Sequence, residues 1–410
     1  MSGVVNPTAG RDVKILGLVS AGHFLSHFYA ICLPPLFLFI RDDLGTSFAA
    51  LGLLMSVRSF TSGAMQVPAG MLVDRVGARP VLIGGMILMA GATALSAVAP
   101  SYWALMGLSV MMSLGNSVFH PTDYAILNAS VSRRRVGRAF SVHTFAGQLG
   151  TATAPAVVVA LAHFSNWRTA QAIIGLAGFV VLAGMAMQWN HMHDDAIPAR
   201  REKTADAPAE SGGRSVWSIL LSRPMLIMSV FFTVTALQNG GMQSFFVAGL
   251  TSLHGTSAAA AGTALSGYLL AAAIGTLLGG VLADFSSRHD LTSAAAFAVS
   301  AAILLFIVLA PPGDWALIAV MTLSGLMQGA IRPARDMMVR AAVPENAIGK
   351  AFGLVSSGTS IGGAVAPVMF GWLIDIGRPD LVFYLLIAFT LLCVVASVAP
   401  KEYRSVSVRS

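Results

Sequence analysis

Residues 114–161, LGNSVFHPTDYAILNASVSRRRVGRAFSVHTFAGQLGTATAPAVVVAL, lie without a gap over residues 326–373, LMQGAIRPARDMMVRAAVPENAIGKAFGLVSSGTSIGGAVAPVMFGWL, at a constant offset of 212. Pro121 meets Pro333, Gly137 meets Gly349, Phe140 meets Phe352, Gly150 meets Gly362 and Pro155 meets Pro367. Stretches rich in Ala and Gly match one another by chance, so the weight rests on the prolines and the unbroken register. At an offset of 210, residues 44–52 (LGTSFAALG) lie over 254–262 (HGTSAAAAG), and Gly70, Leu72 and Asp74 fall on Gly280, Leu282 and Asp284. The chain is read as two structural copies of one unit.

The units are built for lipid. Hydrophobic residues make up 56% of the 410-residue chain and charged residues 10%, against about 25% charged in an ordinary soluble domain. The mean hydropathy is +0.75. A bilayer core about 30 Å thick takes roughly 20 apolar residues per helical crossing, and apolar runs of that length recur from Val13 to Pro400. The runs lack the two-residue alternation of barrel strands, and unpaired backbone groups are too costly in lipid for anything but helices or a closed barrel. Twelve transmembrane helices are therefore predicted, at 13–40, 48–71, 81–99, 102–130, 138–163, 167–189, 224–252, 258–283, 293–310, 315–341, 349–373 and 380–399. The fold class is an all-α polytopic membrane protein of two six-helix repeats.

Charge orients it. Of the 25 Lys and Arg residues, 19 fall in the N-tail, the loops of one side, the middle segment and the C-tail; only Arg41, Arg168 and Arg378 fall on the other side. By the positive-inside rule both termini are cytoplasmic, and the expected location is the cell (inner) membrane. The stretch from Asn190 to Ser222 is the one long polar interruption, with Arg200, Arg201, Glu202, Lys203, Asp206, Pro208 and Gly212. The predicted organisation is an N-terminal bundle (1–189), a cytoplasmic linker (190–222) and a C-terminal bundle (223–410). The first residues, MSGVVNPTAGRDVK, are too polar for a signal-peptide apolar region.

Several function classes drop away. The net charge of +7 belongs to loops, so it sets topology and does not point to nucleic acid. Cys32 and Cys393 both lie in apolar runs and supply no disulfide scaffold or zinc set. His191, His193, Asp194 and Asp195 resemble a metal cluster on paper, but they follow the sixth helix in a solvated linker, and no metal or other cofactor is expected. No Gly-x-x-x-x-Gly-Lys loop is present to bind ATP, and no His-Glu-x-x-His or comparable spacing argues for an intramembrane enzyme.

Gly70-Met-Leu-Val-Asp74-Arg75-Val-Gly77-Ala-Arg79 resembles the Gly-x-Leu-x-Asp-Arg-x-Gly-x-Arg loop of the major facilitator superfamily, between the second and third helices as in that family. The resemblance implies a secondary transporter whose two halves rock about a central site. It also implies a cytoplasmic gate held by Gly70, Asp74, Arg75 and Arg79, with Asp74 near a helix N-terminus and the arginines latching carboxylates. The second copy keeps Gly280, Asp284 and Arg288 but carries Phe285 in place of the first Arg, so gating there is expected to be weaker or differently paired. Gly115-Asn116-Ser117-Val118-Phe119-His120-Pro121 resembles the fosmidomycin-resistance-like exporters of the superfamily. Two drug–proton antiporter patterns are missing: Met111 stands where an Arg is common, and the Gly-Pro pattern of the fifth helix is reduced to Ala154-Pro155.

Ionisable groups inside spans are expensive and are functional candidates by default. Arg58 lies twelve residues before Gly70, about 18 Å along a helix, and is the first candidate for substrate contact. Arg332, Arg335 and Asp336 share one face at i, i+3 and i+4, and His120 and Asp123 occupy the copied positions of the fourth helix. An internal salt bridge, such as Arg332 or Arg335 with Asp336 or Asp123, is the competing role. Gln238, Asn239 and Gln243, beside Gly240 and Gly241, are candidates for orienting a substrate, with polar packing between helices as the competing role. Asp123, Asp336, His23 and His27 are the candidates for carrying protons, since His titrates near neutral pH.

Three intramembrane Arg against two Asp, with His23, His27, His120 and His143 able to add positive charge, make a neutral to positive interior. Arg suits bidentate contact with carboxylate, phosphate or phosphonate. The predicted function is secondary transport of a small organic anion by alternating access, coupled to protons, by a monomer. Proton-driven multidrug efflux of cationic or neutral hydrophobic compounds, with Asp123 as the acid, is the alternative; a non-transporting receptor on this fold would need no mid-membrane charge.

Overall fold

The computed structural model describes residues 9–132, 135–192, 222–285, 289–341 and 348–398, and these are almost wholly helical. In chain order the helices are α1 (Ala9–Ile31), α2 (Phe37–Leu44), α3 (Phe48–Val76), α4 (Ala78–Ser96), α5 (Tyr102–Ser117), α6 (Phe119–Ser130), α7 (Val136–Phe164) and α8 (Trp167–Met187). Then follow α9 (Arg223–His254), α10 (Ala258–Phe285), α11 (His289–Leu309), α12 (Asp314–Ala341), α13 (Ile348–Asp375) and α14 (Pro379–Val398). Among the described residues, eleven stretches are long and apolar enough to cross a membrane; the twelfth crossing is α5 followed by α6. Large apolar side chains stand bare on the outer faces, Phe60 at 71% exposure, Leu277 at 65% and Val395 at 62%, as lipid-facing positions require and water-facing ones rarely allow.

Two spans expected as single helices are broken. In the first, Pro34 and Pro35 cannot donate to the helical ladder, and the chain passes through a short 3-10 turn (Pro34–Leu36) before α2. In the fourth, Ser117 Oγ turns back to the Leu114 carbonyl (2.7 Å), Asn116 Nδ2 donates to the Ser26 carbonyl (3.1 Å), and Pro121 supplies no N–H to Ser117. The helix ends at Ser117 and restarts at Phe119. Other starts carry ordinary caps: Ser101 Oγ accepts from Ala104 N (3.3 Å), and Asn166 Oδ1 from Thr169 N (2.8 Å).

The chain divides into two compact units, Met1–Leu44 with Val57–Glu210, and Gly45–Ser56 with Ser211–Ser410. In the first, α1 packs on α7 and α4 on α8; in the second, α9 packs on α13 and α11 on α14, the same pairs one repeat later. The closest pairing is α10 with α12. There a Cβ on Gly325 would strike the Tyr268 carbonyl and one on Gly329 the Ala272 carbonyl, so the helices meet backbone to backbone, the small-residue packing typical of membranes. The first turns of α3 belong to the second unit: Phe48 N and Ala49 N donate to the carboxylate of Asp375, at the end of α13, at 2.9 and 2.8 Å. Asp375 thereby caps a helix far from it in sequence.

Candidate functional site

Two polar groups occupy the helical interior, one in each unit. In the second unit, Thr235, Asn239 and Gln243 recur every fourth residue along one face of α9. Gln328, Arg332 and Arg335 recur at i, i+4 and i+7 along α12. The close α10–α12 crossing adds Tyr268, and together these side chains line one cavity. Arg335 Cζ stands over the Phe232 ring, 4.4 Å from its centroid, a cation–π contact that helps hold the guanidinium in place. Among the described residues the cavity wall carries no carboxylate. Gln328 Nε2 is buried without a hydrogen-bond partner, a donor left for whatever enters.

Of the expected substrate residues, the structure brings Arg332, Arg335 and Asn239 into this cavity. Gln238, 2% exposed, is not among the lining residues. Gln243, Gln328, Tyr268 and Thr235 complete the lining. Gln243 was already expected beside Asn239; for Thr235 and Gln328 the signal was the four-residue recurrence on α9 and α12, which marks a common face without saying what that face meets, and Tyr268, on α10, had none. The side chains of Asp336 and Asp284, and Arg288 altogether, lie outside the described residues, as does nearly all of the expected linker with His193, Asp194 and Asp195.

In the first unit, His23 and His27 of α1, His120 and Asp123 of α6, and His143 of α7 converge. Asp123 is fully buried, with Oδ2 3.1 Å from His23 Nδ1 and 3.4 Å from His143 Nε2. The His23 and His143 rings stack at 3.9 Å with 25° between planes; His27 and His120 lie edge-on to His23 at 4.6 and 5.3 Å. His27 Nδ1 is 3.2 Å from Thr151 Oγ1. Gly147 makes the room, for a Cβ there would come within 2.7 Å of the His23 ring. His143 was read only as one more positive charge; its place beside Asp123 follows from α1 packing on α7, which the sequence does not display.

Arg58 falls in neither group. It is 5% exposed, with Nη2 donating to the Tyr29 carbonyl at 2.8 Å and lying 3.0 Å from Met112 Sδ. The Gly70 to Arg79 motif forms the turn from α3 to α4. Gly77 adopts φ +96°, which favours glycine, and Gly70, Asp74 and Arg75 lie in the last two turns of α3, with Asp74 and Arg75 exposed. Arg79 stands over the Trp189 ring at 5.4 Å and donates to its carbonyl at 3.5 Å.

Comparison with known proteins returns one family and one fold. The family model described as Major Facilitator Superfamily matches residues 19–250 and 233–408. A probable sulfoacetate transporter of Cupriavidus necator is 26% identical over 404 residues, 90% of this chain and 89% of that protein. The multidrug resistance protein MdtH of Edwardsiella ictaluri is 26% identical over 363 residues, 85% of this chain and 84% of that one. A probable L-galactonate transporter of Escherichia coli is 25% identical over 197 residues, 44% of each chain. Among solved structures, a bacterial homologue of the human lysosomal transporter Spinster, inward-facing and unoccupied, superposes with a TM-score of 0.76 at 16% identity, covering 95% of this chain and 96% of that one.

Proposed function

Because the chain belongs to the Major Facilitator Superfamily, whose model spans nearly all of it, we propose that this polytopic transporter carries a small organic anion across the cell (inner) membrane by alternating access. The observation that carries the reading is the pair of guanidinium groups, Arg332 and Arg335, in one cavity beside the neutral amides of Asn239, Gln243 and Gln328. Two forks on one helix face suit a carboxylate, sulfonate or phosphonate, and the amides and Tyr268 suit polar groups on its body. Sulfoacetate and L-galactonate, named for two relatives, are organic anions.

Protons supply the energy in this reading, held by the ionisable groups inside the spans, Asp123, Asp336, His23 and His27. His120 and Gln238 support the substrate path, and Arg58, whose Nη2 is given to the Tyr29 carbonyl, stands apart from it. Gly70, Asp74, Arg75 and Arg79, with Asp284 and Arg288 in the second copy, form the gate. The protein works as a monomer with both termini in the cytoplasm, as bundles 1–189 and 223–410 joined by 190–222, and Gly115 to Pro121 sets it near the fosmidomycin-resistance-like exporters.

Proton-driven multidrug efflux is the second reading, favoured by the relative named for multidrug resistance and by Asp123 as a buried acid. Thermal-shift measurements on the purified protein, against carboxylates, sulfonates, phosphonates and cationic drugs, separate the two. Stabilisation by anions that is lost in Arg332→Ala and kept in Asp123→Asn is the expected result. Stabilisation by cations alone, lost in Asp123→Asn, would replace anion transport with efflux.

A further inference from the structure

We propose that His23, Asp123 and His143 form a binding site for a divalent late transition-metal ion such as Zn²⁺, Ni²⁺ or Co²⁺, with one coordination position open. Their ligand atoms, His23 Nδ1, Asp123 Oδ2 and His143 Nε2, all lie within 4.8 Å of one another, and all three residues are buried. Two of the separations are 3.1 and 3.4 Å. Metal–ligand bonds of about 2.0–2.2 Å in a tetrahedron place ligand atoms about 3.3–3.6 Å apart, so those two separations are close to what an ion needs, and a turn of one imidazole ring would seat it.

Plain hydrogen bonding describes the cluster less well. Neither oxygen of Asp123, neither ring nitrogen of His143, nor His23 Nδ1 has a hydrogen-bond partner of acceptable direction. The His23 and His143 rings stack with centroids 3.9 Å apart, so both nitrogens crowd one carboxylate oxygen that can accept from neither. Buried polar atoms left in that state are costly, and one ion satisfies three of them together.

The donor set selects the class of ion. Two imidazoles and a carboxylate suit borderline metals better than Mg²⁺ or Ca²⁺, which take oxygen ligands. Cys32 and Cys393 do not join the cluster. One carboxylate leaves a divalent ion with net positive charge, so its open position favours an anionic fourth ligand. His120, which is exposed, and His27 stand beside the His23 ring, 5.3 and 4.6 Å from it. The inference goes beyond anion transport and does not depend on it. A metal ion takes these lone pairs in exchange for protons, so it adds an occupant to the cluster proposed for proton carriage.

The test is a Co²⁺ titration of the purified full-length protein after stripping with EDTA. One Co²⁺ per chain, with the visible absorption of a tetrahedral nitrogen and oxygen site and displacement by Zn²⁺, is expected. His143→Gln and Asp123→Asn should weaken it at least tenfold, while His254→Gln, whose ring contacts the Ile307 carbonyl in the second unit, should not. X-ray absorption of the Zn²⁺-loaded unaltered protein gives a readout that no variant's folding can spoil, and should show two imidazoles with an oxygen. Absence of Co²⁺ bands in the unaltered protein, or a titration unchanged in a folded His143→Gln, overturns the proposal and leaves the cluster to water.

Discussion

Arg335 divides its guanidinium between the face of Phe232, 4.4 Å away, and the cavity. Lysine keeps the charge but loses the planar fork and must rebuild its contact with the ring, a contact worth about 0.5–2 kcal/mol. Arg335→Lys is therefore expected to raise the half-saturating anion concentration by about 2- to 30-fold in proteoliposome uptake. Arg58 invites the opposite outcome, because its guanidinium is spent on the Tyr29 carbonyl. A hydrogen bond from a charged donor contributes about 1.5–3 kcal/mol, so Arg58→Leu should lower the melting temperature while leaving the half-saturating concentration as it was. A raised half-saturation in a protein of unchanged melting temperature would return Arg58 to the substrate path. Gly147→Ala, whose new Cβ would sit 2.7 Å from the His23 ring, should displace that ring and abolish Co²⁺ binding. The change adds one methyl and removes no ligand, which makes it a sharp check on the geometry.

At the scale of helices, Gly325 and Gly329 hold α12 against the backbone of α10 and so keep Tyr268 beside Arg332 and Arg335. Gly329→Val should wedge that crossing apart, cutting both folded yield and anion binding, readable by size-exclusion chromatography and thermal shift. Asp375 makes a different prediction. Its carboxylate accepts from the first amides of α3, a cap of about 0.5–2 kcal/mol, and Asp375→Ala should speed hydrogen exchange at Phe48 and Ala49 ahead of the rest of α3. How much of this was legible in the sequence varies with the cause. Helix number, duplication and the α3–α4 turn were, because lipid forces long apolar runs and the register of Pro121 on Pro333 is unbroken. The break at Val118 was less so: Asn116, Ser117 and Pro121 each weaken a helix, but only the Ser26 carbonyl that receives Asn116 shows where it yields. The pairing of Asp123 with two histidines was hidden, since it depends on which helices touch.

For the molecule as a whole, topology rests so far on the distribution of Lys and Arg. Cys32 and Cys393 are both buried and make a quiet background, so single cysteines added at either terminus should react with a membrane-impermeant maleimide only from the cytoplasmic side. Labelling from outside would reverse the orientation. The two units are not cut at the linker alone, because residues 45–56 belong with the second unit although the first surrounds them in sequence. Leu51 and Leu54 are fully buried there, and a Cβ on Gly52 would strike the Pro367 carbonyl. Recombination between this chain and a relative therefore has three crossover points to respect. A hybrid that exchanges everything before the linker imports a foreign 45–56 into a native second unit, whereas one that also keeps the native dozen residues should inherit both parents' packing intact.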